Sequence, residues 1–255
     1  MWNRTLGLFE RFWKTVLKDA LFRFFYLPQE VTFHSSEYLR KNSRCLEHLA
    51  SLHLSLSGKT VLELGAGIGD HSHYYLDRGC QLTITEVRKR NLSYLKKRYP
   101  DVEVHPLDLE NPVMLDGAPF DVVHCYGLLY HLSNLGNVLD FIGKLCGGLL
   151  LLETVVSSSE EADIRQVKEL KINPTQSYFG LGSRPTRTWL FRELKRHFAY
   201  VYIPRTQPNH EQFPIDWSSH QSHSRLARAI FIGSRESIEN DMLSDQLLML
   251  QTRHD

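Results

Sequence analysis

VLELGAGIGD, residues 61–70, is the stretch on which the reading of this chain turns. Thr60 to Leu64 is a short β-rich run, and Gly65, Gly67 and Gly69 follow it at once. Glycines at a strand-to-helix turn accept positive φ and let a ligand approach the backbone closely. A dinucleotide-binding turn reads G-x-G-x-x-G and sets a pyrophosphate at the helix N-terminus. Here the position of that last glycine is Asp70, the spacing is G-x-G-x-G, and Glu63 stands ahead of the turn. An acidic residue beside the loop suits a cationic ligand better than a pyrophosphate.

Outward from this loop, strands and helices alternate. Leu82–Glu86 (LTITE), Val102–His105, Phe120–Cys125 (FDVVHC) and Gly148–Val156 read as strands, and so do Tyr200–Ile203 and Ala227–Ile232. Asn91–Arg98, Asn134–Leu145 and Thr186–Phe198 read as helices. Such alternation predicts an α/β fold, a mainly parallel sheet covered by helices on both faces. Upstream, Ser36–Leu52 predicts a helix with Tyr38, Leu39, Leu46 and Leu49 as its apolar contacts. The expected organisation is a helical extension or lid over residues 1–56 and a sheet domain over 57–235. Polar loops are expected at 157–185 and 204–224, with a tail over 236–255. Loops of that length in a compact domain are usually functional.

The first residues carry a second pattern. Trp2, Leu6, Phe9, Trp13, Val16, Ala20 and Phe24 fall on one helical stripe, with Arg4, Arg11, Lys14 and Lys18 opposite. A helix over 2–26 could pack on the domain as a lid, make peripheral contact with a membrane surface, or self-associate. The chain of 255 residues is 42% hydrophobic and 23% charged, which are globular values. Its formal net charge of +1 lacks the basic surplus that phosphate neutralisation favours, so no nucleic-acid partner is expected. Cys45, Cys80, Cys125 and Cys146 form no CxxC pair. Reduced, mostly buried thiols in a cytoplasmic protein are the simplest account. The first residues lack a signal-peptide pattern, and no apolar run approaches the length of a membrane span.

Two more acids complete the motif set. Glu86 ends the second strand, 23 positions after Glu63, about where an α/β nucleoside site holds ribose hydroxyls. Asp108 follows the third strand in HPLDLEN and could meet an adenine amino group or cap a helix. In this order, ELGAGIG, Glu86, Asp108 and FDVVHCYGLLYHL resemble the class I S-adenosylmethionine-dependent methyltransferases, the Rossmann-like family. The resemblance covers about residues 58–156 and extends plausibly to 234. It implies a three-layer α/β/α fold with a seven-stranded, mostly parallel sheet whose last strand is antiparallel. It implies S-adenosyl-L-methionine as cofactor, touched by Glu63, Gly65, Ala66, Gly67, Gly69, Glu86, Asp108, Leu109 and Tyr126.

Ligands of open α/β sheets sit at the carboxyl ends of the strands, where the fourth strand delivers Tyr126, Gly127, Tyr130 and His131. His131, with an ordinary pKa of ~6.5, is the candidate catalytic base; its other reading is a helix-entry histidine bonded to the backbone. His71 and His73 either touch the cofactor or face solvent, and solvent is favoured. Tyr130, Arg184 and His210 are the candidate acceptor contacts. His210, Glu211 and Asp216 match no metal-ligand spacing, so no metal is expected. Arg88, Lys89, Arg90, Lys96, Lys97 and Arg98 read as a solvated helix face, with RNA docking as the alternative. The expected activity is methyl transfer to an O or N atom of a small-molecule acceptor, such as a sugar or a secondary-metabolite intermediate. A lipid or membrane-associated acceptor, or a non-catalytic cofactor-binding role, are the competing readings.

Overall fold

The computed structural model describes residues 29–157, 161–218 and 226–254. The amphipathic helix expected at 2–26 lies outside them. Five strands run parallel: β1 (Thr60–Glu63), β2 (Gln81–Glu86), β3 (Glu103–Pro106), β4 (Phe120–Tyr126) and β5 (Cys146–Val156). After them come β6 (Ile164–Lys168), β7 (Leu181–Pro185), β8 (Tyr200–Pro204), β9 (Thr206–Gln207), β10 (Ala227–Ser234), β11 (Leu243–Ser244) and β12 (Thr252–Arg253). The main sheet has the order β3-β2-β1-β4-β5-β10-β8-β11. β10 is antiparallel to both β5 and β8, the reversed strand that the family resemblance implies.

The main sheet has eight strands among the described residues, where seven were expected. The eighth, β11, comes from the segment read as a tail. It pairs antiparallel with β8, Leu243↔Pro204 and Ser244↔Ile203, and so covers part of an edge that would otherwise offer unpaired backbone groups.

The helices are α1 (Gln29–Phe33), α2 (Ser36–Ser51), α3 (Ser72–Leu76), α4 (Lys89–Arg98), α5 (Leu135–Leu145) and α6 (Arg187–His197). Successive strand residues point to opposite faces, which divides the core in two. Leu62, Val123, Cys125, Leu150 and Leu152 pack with Leu139 and Ile142 of α5 and Leu190 and Leu194 of α6. Val61, Val122, Tyr126 and Leu151 pack with Cys45 and Leu49 of α2, Tyr75 of α3 and Leu95 of α4. Burial on both faces is why these strands read as unbroken apolar runs.

Two elements depart from the sequence reading. On α2, Leu39 is exposed and the buried residues are Lys41, Cys45, His48 and Leu49. Polar groups occupy this face because polar partners meet it: His48 Nε2 lies 3.0 Å from the carbonyl of Thr206 and 3.1 Å from its hydroxyl. The stretch read as a polar loop at 157–185 contains the antiparallel β6–β7 hairpin, in register from Ile164↔Pro185 to Lys168↔Leu181. IRQVK and LGSRP are poor β-formers by composition, so pairing and not propensity makes them strands.

Candidate active site

A cleft opens at the carboxyl edge of β1, β2 and β4. Its walls include Glu63, Gly65, Ala66, Gly67, Glu86, Asp108, Leu109, Tyr126 and His131, together with Lys41, Asp70, His71, Glu153 and Tyr178. Gly69 is not in the wall. A Cβ there would sit 2.6 Å from the Tyr99 ring and 2.8 Å from Leu95, so its smallness lets the loop pack on α4.

The loop is shaped for close approach. Gly65 and Gly67 have φ of +61° and +60°, a region costly for residues with a Cβ. Glu86 organises it from β2: Oε2 accepts from the Gly67 amide at 2.9 Å, and Oε1 accepts from the Val87 and Arg88 amides at 2.8 Å each. Burial raises the Glu86 carboxyl above its ordinary range against these three donors. Glu63 is buried at the base of the loop, where the Ser72 hydroxyl donates to it at 2.5 Å. Burial pushes it up to about 7. Asp108 holds its own turn, accepting from the Glu110 amide at 2.9 Å and the Asn111 side chain at 3.1 Å.

The catalytic candidate has a partner that was not anticipated. His131 Nδ1 lies 2.5 Å from Glu169 Oε2, and Arg184 donates to Oε1 of the same carboxylate at 2.9 Å. The Ser177 amide donates to Oε2 at 2.7 Å. Burial opposes ionisation of Glu169, but its bonds to His131, Ser177 and Arg184 hold it at about 2. An ionised carboxylate only accepts, so Nδ1 of His131 carries the proton and Nε2 keeps its lone pair. Burial lowers the His131 pKa, partly offset by Glu169, so the ring is neutral near pH 7.

Of the three residues read as acceptor contacts, none lines the cleft. The Tyr130 hydroxyl accepts from Arg228 at 3.0 Å. Arg184 is spent on Glu169 and the Tyr130 carbonyl. His210 is 2% exposed, with Nδ1 accepting from the Gln212 amide. His71, favoured as a solvent-facing residue, lies in the cleft wall, as do Lys41 and Glu153. Nothing in their spacing marks Glu169, Lys41 or Glu153; the one sequence signal was a charge inside an apolar strand, Glu153 in LLLLETVV. Arg88 and Arg98, read within a solvated face, do structural work. Arg88 donates to the carbonyls of Lys171, Asn173 and Gln176, and Arg98 to Ile68 and Asp70. Lys89, Arg90, Lys96 and Lys97 remain exposed.

The buried histidines predict acid sensitivity. Burial holds His48 and His71 at about 4, and lowers His124 well below its ordinary value. Below pH 6.5 each is neutral when folded and protonated when unfolded. The unfolded chain then binds more protons, and stability falls as pH drops from 6.5 toward 4. Glu63 and Glu86, raised by burial, oppose this by holding protons in the folded state. With three histidines against two carboxyls, and His131 and His210 also lowered, net uptake on unfolding is about one to two protons. That gives a slope of roughly 1–3 kcal/mol per pH unit near pH 5.5. Urea unfolding at pH 5 and 6.5 measures it; a midpoint no lower at pH 5 contradicts the assignment.

The walls fit an adenosyl sulfonium: a glycine cradle, a carboxylate at the end of β2, and the buried His71 Nε2 and Tyr126 hydroxyl, which find no hydrogen-bond partner among the described residues. The comparisons agree. The methyltransferase domain family matches residues 36–206. The tRNA U34 carboxymethyltransferase of Vibrio vulnificus is 27% identical over 195 residues, 71% of this chain and 57% of that protein. That of Pseudoalteromonas translucida is 31% identical over 130 residues, 48% of this chain and 38% of that protein. The chain spans about half the length of these curated relatives. Among solved structures, the N-terminal domain of EvdMO1 in the presence of SAH and D-fucose has a TM-score of 0.57 at 20% identity, covering 76% of this chain and 82% of that one. An S-adenosylmethionine-dependent methyltransferase from Mesorhizobium loti has a TM-score of 0.56 at 14% identity, covering 77% and 100%.

These relatives overturn the expectation of no nucleic-acid partner, since their names specify a tRNA nucleotide. Net charge misled because it averages over the whole surface, whereas phosphate docking needs only a local basic face. The match over about two thirds of the sequence, on a sheet and cleft of the matching kind, places the chain in the methyltransferase domain family as an S-adenosylmethionine-dependent class I methyltransferase.

Proposed function

We propose that this enzyme transfers a one-carbon group from the sulfonium of its cofactor to an oxygen or nitrogen of an RNA nucleotide, with His131 as general base. The observation that carries the base assignment is the 2.5 Å contact between Glu169 and His131, which lies in the cleft wall. The sulfonium makes the bound carbon electrophilic; the protein's own task is to align the acceptor, exclude water and take its proton. Glu169 holds the tautomer in which Nε2 can accept that proton.

The acceptor class is supported by the relatives' names and by the exposed face of α4. Lys89, Arg90, Lys96 and Lys97 present cations there, and Arg88, at the N-terminal end of that helix, lies in the cleft wall. Tyr178, 47% exposed in the same wall, offers a ring on which a base can stack. The deciding experiment supplies radiolabelled S-adenosylmethionine and total tRNA and counts acid-precipitable label. Incorporation that falls steeply with salt supports the reading; label found only in small molecules sinks it.

The base assignment has its own test. His131→Ala is expected to lower kcat by about 10²–10³-fold and leave the affinity for S-adenosylhomocysteine within about threefold. Glu169→Gln is expected to lower kcat about tenfold. It also removes the charge that supports a protonated His131, so the acid limb of the kcat/KM profile moves to lower pH. An unmoved limb would reduce Glu169 to a hairpin brace.

A further inference from the structure

Behind the glycine loop runs a chain of rings, two of them buried and the third, His71, half-buried. The Tyr75 hydroxyl is 2.7 Å from His124 Nδ1, and His124 Nε2 is 3.1 Å from His71 Nδ1. His71 Nε2, the far end, is buried without a hydrogen-bond partner among the described residues, and His71 lines the cleft. Such a chain has two possible senses, and Tyr75 decides between them. Its side chain is fully buried, and burial raises its pKa well above the ordinary phenol value, so the hydroxyl keeps its proton. A buried hydroxyl proton left without an acceptor is costly. Tyr75 therefore donates to His124 Nδ1, His124 Nε2–H donates to His71 Nδ1, and His71 Nε2–H is a donor at the cleft wall.

The neighbouring residue offers the opposite polarity. Asp70 Oδ1 accepts from Arg98 at 2.6 Å and faces His34 at 3.1 Å, while Oδ2 is buried without a partner among the described residues. Asp70 also lines the cleft. Consecutive residues thus present one unmatched acceptor and one unmatched donor. The surrounding charges favour an anion at the donor. Glu63 is bonded to Ser72 and Glu153 to Arg228. Lys41 lies 3.8 Å over the Tyr38 ring, lines the cleft and closes no ion pair among the described residues. It is close enough to His71 to help keep that ring neutral.

We propose that Asp70 and His71 form a zwitterion site for the amino-acid end of the sulfonium donor. His71 Nε2–H, oriented by Tyr75 and His124 and assisted by Lys41, receives its carboxylate, and Asp70 Oδ2 receives its ammonium. The proposal rests on the cofactor occupying this cleft. The donor end of His71 fits any carboxylate, including one on the acceptor. The paired acceptor on Asp70 selects the amino-acid end.

The test uses two ligands that carry no transferred group: S-adenosylhomocysteine and its decarboxylated form, S-adenosyl-3-thiopropylamine. Calorimetry on the full chain is expected to show the first binding about 10–100-fold more tightly, the worth of a charge-assisted hydrogen bond. His71→Leu is expected to reduce that ratio to below about fourfold, with affinity for the decarboxylated ligand changed less than about threefold. His71→Gln, which can still present an N–H, recovers part of the ratio. Tyr75→Phe releases the sense of the chain without touching the cleft and lowers the ratio about threefold; it also serves if His71→Leu fails to fold. A wild-type ratio near one overturns the proposal. So does an unchanged ratio in the His71 and Tyr75 variants, or an equal loss for both ligands, which would mean packing alone. Failure of both ligands to bind the wild type would instead remove the cofactor from this cleft.

Discussion

Glu86→Ala is expected to weaken S-adenosylhomocysteine binding by about 100-fold or more. At the end of β2, Glu86 is placed to accept hydrogen bonds from ribose hydroxyls, worth about 1.5–3 kcal/mol. The structure adds a second loss of comparable size. The same carboxylate is the acceptor for the amides of Gly67, Val87 and Arg88. Truncation removes their partner, and the Gly67 amide belongs to the loop that must approach the ligand. The two losses together reach or exceed 2.8 kcal/mol, which is 100-fold in affinity. Glu86→Gln separates them in part: one oxygen still accepts, but the amide nitrogen confronts a backbone N–H. Its affinity should fall between those of the wild type and Glu86→Ala. Asp108→Ala is the control, since Asp108 holds only a local turn; its loss should be under about tenfold. Calorimetry reads all three, and an affinity for Glu86→Ala within threefold of wild type rules out the ribose assignment.

The difference between Glu86 and Glu169 shows what could be read beforehand. The place of Glu86 in the cleft wall was legible because it follows from local order: a strand, its end, and a fixed distance from a glycine loop. The parallel strands were legible for a similar reason, since burial on both faces leaves an apolar run that no surface segment needs. Glu169 has no such local marker. It reaches His131 because the β6–β7 hairpin folds back over the strand edge, and IRQVK and LGSRP carry little β signal of their own. His71 was legible as a position and misread as an environment. A histidine two residues past the glycine loop stands at a helix start, and only the packing of Tyr75 and His124 behind it shows that it is half-buried. Charge told a similar story. A net +1 concealed that two of the arginines counted with the basic helix tie down backbone carbonyls, while four neighbouring cations stay on its surface.

The largest expected effect on stability lies at Glu153 and Arg228, neither of which carries a motif. Glu153 of β5 stands opposite Ile230 of β10, so Arg228 is its diagonal neighbour on the same face, within reach of a long side chain. Arg228 Nη1 donates to Glu153 Oε1 at 2.9 Å and Oε2 at 3.2 Å, Nη2 donates to the Tyr130 hydroxyl at 3.0 Å, and Nε donates to Gln212 at 2.8 Å. The two residues are 2% and 3% exposed. Removing either charge strands the other in the core, so Glu153→Leu and Arg228→Leu should each destabilise the fold by about 3–5 kcal/mol in urea unfolding. Removing both leaves an apolar pair at a packed site, and the double variant should recover most of that loss, with a coupling energy of at least about 2 kcal/mol. Additive losses, or single variants within 1 kcal/mol of wild type, contradict the pairing. Recovered stability should not restore turnover. The Tyr130 ring lies 4.0 Å from that of His131 between centroids, and its hydroxyl is held by Arg228. The double variant should therefore fold, bind S-adenosylhomocysteine, and still turn over at least about tenfold more slowly than the wild type, because the turn that carries His131 has lost its tie to the sheet.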